Sequence, residues 1–185
     1  LLERAALPRV VAIGETGLDY YGMEDRKGGR SIADLEWPRD RFRTHIRAAR
    51  ACGLPLVIHT RSASDDTLAI LREEGEDGAG NRCGGVFHCF TESGEVARAA
   101  LDLGYYISFS GIITFKSAQA LRDVVALVPM DRMLIETDSP YLAPVPFRGK
   151  TNSPAYVPHV AHQVAQVRGL AVEAVAEATS RNFEQ

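Results

Sequence analysis

The sequence predicts an α/β protein built on a parallel sheet. Five short apolar runs, rich in β-branched residues, recur along the chain. Longer amphipathic stretches separate them. The runs are continuously apolar rather than alternating, so both faces of each strand are covered, as helices cover a parallel sheet. A doubly wound sheet and a (β/α)8 barrel both satisfy this order. The chain has 185 residues, 45% hydrophobic and 24% charged, which fits one globular domain.

The elements follow in order. Val10–Gly14 (VVAIG) reads as a buried strand after Pro8. The Gly-rich, charged, non-periodic segment Tyr20–Trp37 reads as a long loop, a length usually reserved for function or mobility. Pro38 opens a helix with Phe42, Ile46 and Ala49 on one face, and Gly53 stops it. Pro55–His59 (PLVIH) is the second strand. A helix over Ser64–Glu74 turns Leu68 and Leu71 inward, and the Gly-rich stretch Gly75–Gly85 is a turn cluster. Gly85–Cys89 (GVFHC) is the third strand, followed by a helix over Ser93–Leu103. Tyr105–Phe109 (YYISF) is the fourth strand, followed by a helix over Ser117–Leu127. Arg132–Thr137 (RMLIET) is the fifth. A Pro-rich loop, Tyr141–Ser153, leads to helices over Pro154–Arg168 and Ala171–Phe183.

Charge and composition exclude several classes. The net charge of −3 supplies no global field for nucleic acid or membrane, so a nucleic-acid role needs a local basic site or a metal. No apolar run approaches the ~18 residues of a membrane helix. Three cysteines, Cys52, Cys83 and Cys89, an odd number without CxxC spacing, predict reduced thiols and a cytoplasmic location. There is no GxGxxG, P-loop or GxSxG, which removes the phosphate cradle of a nucleotide enzyme and the usual serine nucleophile.

The informative pattern lies where the apolar runs end. VVAIG meets Glu15, PLVI meets His59, GVF meets His88, and MLIET meets Asp138. Strand ends of a parallel α/β sheet share one face, and in barrels that face carries the active site. Each residue alone has an ordinary explanation: a cap, a hydrogen-bonded histidine, an Asx turn. Together, imidazole nitrogens and carboxylate oxygens form a donor set for a divalent ion, and one metal site explains four placements at once. Arg61, Lys116, Arg148, Lys150 and Asn152 fall in the loops beyond strands and would ring the same mouth. Cys89 reads as a small buried residue. Five arginines between Arg39 and Arg50 read as the solvated side of an outer helix.

These residues carry a family resemblance. Glu15 in GETGLDYY, His59 in PLVIHTR, His88 in GVFHCFT, YYISFSGIITFK at 105–116, Asp138 in ETDSPYLAP and FRGKTNSPAYV at 147–157 resemble the TatD family of metal-dependent deoxyribonucleases. The blocks run in order along nearly the whole chain. The resemblance implies an amidohydrolase-like, TIM-type (β/α)8 barrel with one or two divalent ions (Mg, Mn or Zn). It implies that Glu15 bridges the metals and that His59 and His88 complete one ligand set. Asp138 would ligate the other metal and act as base, so Glu15 and Asp138 form the catalytic pair. Arg61 and Arg148 match positions near substrate. The implied activity is 3′→5′ exonuclease action on single-stranded DNA, with some action on RNA.

One departure stands out. The family's first strand ends in an HxH pair, and no HxH occurs in this chain. LLERAAL reads as the inside of a helix, and the first strand already carries the block of the family's fourth. The expectation is therefore a barrel truncated to strands 4–8, without about three N-terminal βα units and the extreme C-terminus, and with impaired binding of a second metal. The same metal-activated water would serve amide or ester hydrolysis, including aminoacyl-tRNA deacylation. A non-catalytic binding protein on this scaffold is the further alternative.

Overall fold

The computed structural model describes residues 1–23, 31, 35–78 and 82–185. The predicted order of elements is present. The strands are β1 (Ile13–Asp19), β2 (Leu56–Arg61), β3 (Gly85–Phe87), β4 (Tyr106–Phe109) and β5 (Met133–Ile135). The helices are α1 (Leu2–Ala5), α2 (Glu36–Cys52), α3 (Ser64–Glu73), α4 (Gly94–Asp102), α5 (Gln119–Leu127), α6 (Val157–Arg168) and α7 (Val172–Phe183). Most of the predicted loop at 20–37, namely residues 24–30 and 32–34, lies outside the described residues.

By contact the chain divides into two units, Leu1–Phe87 with Asp102–Tyr105, and His88–Leu101 with Tyr106–Gln185. In the first unit, β1 pairs with β2 and β2 with β3, all parallel. Helix α2 covers β1, burying Phe42, Ile46 and Ala49, the stripe its periodicity predicts. Phe42 and Ile46 are essentially inaccessible, and each such side chain contributes about 1.5–3 kcal/mol of burial. Gly53, at φ 65°, ends α2 in the left-handed conformation a glycine adopts without strain. In the second unit, β4 and β5 pair in parallel, with Phe109 opposite Ile135. Helices α6 and α7 pack together, α7 lies against β5, and Val160, Val164 and Val175 are buried.

Strand boundaries differ from the sequence reading, with consequences for the site. β1 starts three residues later than VVAIG suggests, because pairing begins where the Ile13 N–H reaches the Pro55 carbonyl at 2.9 Å. Val11, outside the ladder, is 68% exposed. Glu15 therefore sits inside β1, next to a register shift between Ile13 and Thr16, and Asp19 takes the strand end. β2 runs two residues past His59, whereas β3 stops at Phe87 and leaves His88 in the turn beyond it.

Among the described residues there are five strands. The parallel α/β class is as expected. The narrower expectation, a (β/α)8 barrel reduced to strands 4–8, draws no support from this fold.

Candidate metal centre

The first unit brings Glu15 and His59 together. Parallel pairing of β1 with β2 sets Gly17 opposite His59, so side chains two residues either side of Gly17 flank the imidazole. Glu15 Oε1 lies 2.9 Å from His59 Nδ1, and Asp19 Oδ2 lies 3.2 Å from His59 Nε2. Asp19 also pairs with Arg61 at 2.7 Å and accepts the Tyr21 backbone N–H at 2.9 Å. Burial alone would raise the Asp19 carboxyl. The hydrogen bonds from Arg61, the Tyr21 N–H and His59 outweigh it and hold the group below the usual carboxylate range. The Arg61 guanidinium also stacks over Tyr21, 4.6 Å from the ring centre.

The second unit gathers His88, Glu136 and Asp138. Each offers a donor atom, and these atoms lie within 4.8 Å of one another. Glu136 sits just past β5, fixed by its backbone N–H to the Phe109 carbonyl at 2.9 Å. Its Oε1 is 3.3 Å from His88 Nδ1, and its Oε2 accepts the Cys89 backbone N–H at 3.0 Å. Burial would raise this carboxyl too. Hydrogen bonds from His88, Ser108 and the Cys89 N–H win, so Glu136 is held ionised below its ordinary value. Asp138 is positioned by a turn in which its carbonyl accepts the Tyr141 N–H at 2.9 Å.

Backbone strain collects at the same places. Ser62 after β2, Cys89 after β3 and Asp138 after β5 have φ of 54°, 43° and 56°. Non-glycine residues in the left-handed region cost of order 1–3 kcal/mol each and persist where the surroundings over-determine them, often at functional sites.

The donor set of the second unit, His88, Glu136 and Asp138, fits a divalent ion. Imidazole nitrogens beside carboxylate oxygens match the ligand chemistry of Zn²⁺ and Mn²⁺, and the carboxylates suit Mg²⁺. Cys89 is not the apolar filler expected of it. Its Sγ meets Ser110 Oγ at 3.2 Å and Asp138 Oδ2 at 3.5 Å. Burial, and then the nearby carboxylates, push its thiol far up, which keeps it a neutral donor and removes it as a nucleophile.

The residues expected in the loops beyond the strands differ in exposure. Arg148 and Lys150 are exposed, and the Arg148 guanidinium stacks on Phe115. Asn152 is instead buried and donates from Nδ2 to the Thr137 carbonyl at 2.7 Å and to that of Tyr141, so it braces the loop carrying Asp138. On α2, the guanidiniums of Arg39, Arg43, Arg47 and Arg50 meet Glu36, Asp40, Asp66, Glu73, Glu74 and Glu76. That face is an ion-pair network. Two site residues escape the sequence reading, Asp19 and Glu136. Both lie in the quoted blocks GETGLDYY and ETDSPYLAP, where a second acid close to the chosen one is the signal.

The family described as TatD related DNase matches residues 1–185. The chain belongs to this family. It is 52% identical over 179 residues to "Uncharacterized metal-dependent hydrolase YcfH" of Escherichia coli K12, an alignment covering 97% of this chain and 63% of YcfH. It is 34% identical over 186 residues to "3'-5' ssDNA/RNA exonuclease TatD" of Citrobacter rodentium, covering 98% of this chain and 66% of that protein. Among solved structures, YJJV, a TatD homologue from Escherichia coli K12, superposes with a TM-score of 0.83 at 28% identity. That match covers 98% of this chain and 65% of YJJV. The chain thus spans 63% of the length of its relative YcfH. Among the described residues, no helix is long and apolar enough to cross a membrane.

Proposed function

We propose that this chain supplies the catalytic residues of a metal-dependent phosphodiesterase that removes nucleotides from the 3′ end of single-stranded DNA, and of RNA. The observation that carries this reading is the convergence of His88, Glu136 and Asp138 donor atoms beside strained strand ends. In this reading Glu15 and His59 in the first unit, and His88 and Asp138 in the second, are ligands for one or two ions of Mg²⁺, Mn²⁺ or Zn²⁺ on a TIM-type scaffold. A bound divalent ion supplies Lewis-acid polarisation of the phosphodiester and acidifies the attacking water.

The chain's own groups do the rest. Asp138 accepts the proton of the water that attacks phosphorus, while the scissile P–O bond breaks and its oxygen leaves. Arg61 and Arg148 neutralise phosphate oxygens of the incoming strand and hold its register. Asp19 keeps the Arg61 fork oriented through their 2.7 Å pair. The kinship with a protein named as a 3′–5′ ssDNA/RNA exonuclease supports the substrate class.

A substrate panel tests it. The protein is given a 5′-labelled single-stranded DNA, the matching RNA, the duplex, and an aminoacyl ester, each with Mg²⁺, Mn²⁺ or Zn²⁺. Stepwise shortening of the single strands from the 3′ end is expected. Ester cleavage with no loss of nucleotides would instead place the chain among amide or ester hydrolases.

A further inference from the structure

We infer that Glu136 is a positioning residue for His88: it holds the imidazole in the tautomer protonated at Nδ1 and directs Nε2 as the donor to a divalent ion. The inference rests on the reading that His88 ligates a metal, and it assigns Glu136 to the shell outside that metal.

The geometry favours this role over direct ligation by Glu136. Both carboxylate oxygens already serve the protein. Oε1 faces His88 Nδ1 at 3.3 Å, and Oε2 accepts the Cys89 N–H at 3.0 Å, with the buried Ser108 hydroxyl as a further donor. An acceptor-only group opposite Nδ1 requires that nitrogen to carry the proton, which leaves the lone pair on Nε2. The same carboxylate also grips the backbone next to His88, so ring orientation and turn position are set by one residue. Its own position is rigid, because the Glu136 N–H bonds the Phe109 carbonyl and the Phe90 N–H bonds that of Ser108, both at 2.9 Å. A metal-binding histidine held through its other nitrogen by a carboxylate is the arrangement that fixes tautomer and raises ligand basicity. Asp138, by contrast, follows in a turn with left-handed backbone, and its Oδ2 accepts the weak Cys89 S–H at 3.5 Å.

Two readouts test the assignment. The nitrogen chemical shifts of the His88 ring, measured without metal in the native protein, should report a proton on Nδ1 and a lone pair on Nε2. In Glu136→Gln, whose amide also presents an N–H to the ring, the two tautomers should mix. Mn²⁺ or Zn²⁺ affinity, measured by competition with a chromogenic chelator, should fall roughly 10–100-fold. A native ring protonated on Nε2, or a folded Glu136→Gln protein with unchanged tautomer and unchanged affinity, would overturn the assignment. If Glu136→Gln does not fold, the native ring signature decides alone. A native protein that binds no divalent ion refutes the metal reading itself, while its ring signature still supports or overturns the hold of Glu136 on His88.

Discussion

Gly17 lies so close to the His59 carbonyl that a β-carbon on Gly17 would sit 2.0 Å from the oxygen. The two residues are register partners of β1 and β2, and Gly17 has a φ of 129° that side chains rarely adopt. The glycine is what lets the strand bearing Glu15 and Asp19 approach the one bearing His59. Gly17→Ala should therefore cost about 2–4 kcal/mol. Gly22→Ala, at φ 64° with open space around it, should cost about 1–2 kcal/mol. Urea midpoints of the two variants make the comparison, and equal losses would contradict it.

The buried Glu76 predicts an acid-labile fold. Its carboxylate is fully buried and meets Arg50 at 2.9 Å, the Tyr105 hydroxyl at 2.9 Å and the Cys83 N–H at 3.0 Å. Burial would raise its carboxyl, but these donors prevail and hold its pKa below the usual 4.5. A carboxylate lowered on folding stabilises fully above its unfolded value, and the contribution disappears as pH falls through its folded value. Glu76→Gln should be destabilised by about 3–5 kcal/mol at pH 7, since Arg50 loses a partner. The gap between native and variant should close below pH 4.5 in denaturant titrations. A gap that stays constant would show that Glu76 contributes no pH dependence.

Asn152 should behave as a structural brace. Removing its amide in Asn152→Ala leaves the Thr137 carbonyl without that donor, at about 1–3 kcal/mol. Hydrogen exchange around 137–141 should speed up more than in helix α7. Uniform exchange across the chain would count against a local brace.

Substrate affinity should separate the arginines. Arg43 is held by Glu36, Asp40 and Glu73, so Arg43→Ala should leave the binding of a labelled single-stranded oligonucleotide unchanged. Arg148→Ala and Arg61→Ala should each weaken it and lower the salt slope by roughly one. Anisotropy titrations at several salt concentrations measure both quantities. The reverse ranking would move the nucleic-acid surface to α2.

Helices were the most legible part of the sequence, because a 3.6-residue apolar stripe such as Phe42, Ile46 and Ala49 has one physical meaning. Strand limits were less so. VVAIG is apolar throughout, yet its first three residues have no ladder partner, and only the Pro55 carbonyl decides where β1 begins. The candidate ligands were visible as chemistry-bearing residues at the ends of apolar runs. Their supports were not, because Asp19 and Glu136 look like any surface acid until Arg61 and His88 are brought to them through space.

In the proposed reading, Glu15 and His59 in the first unit, and His88 and Asp138 in the second, are divalent-ion ligands needed for phosphodiester cleavage. The most direct measurement is the rate of mononucleotide release from a single-stranded oligonucleotide, before and after chelation, for the native protein, His59→Ala and Asp138→Ala. Release should stop on chelation, return with Mg²⁺, Mn²⁺ or Zn²⁺, and fall at least about 100-fold in either variant. Release that survives chelation, or variants as fast as the native protein, would contradict that reading.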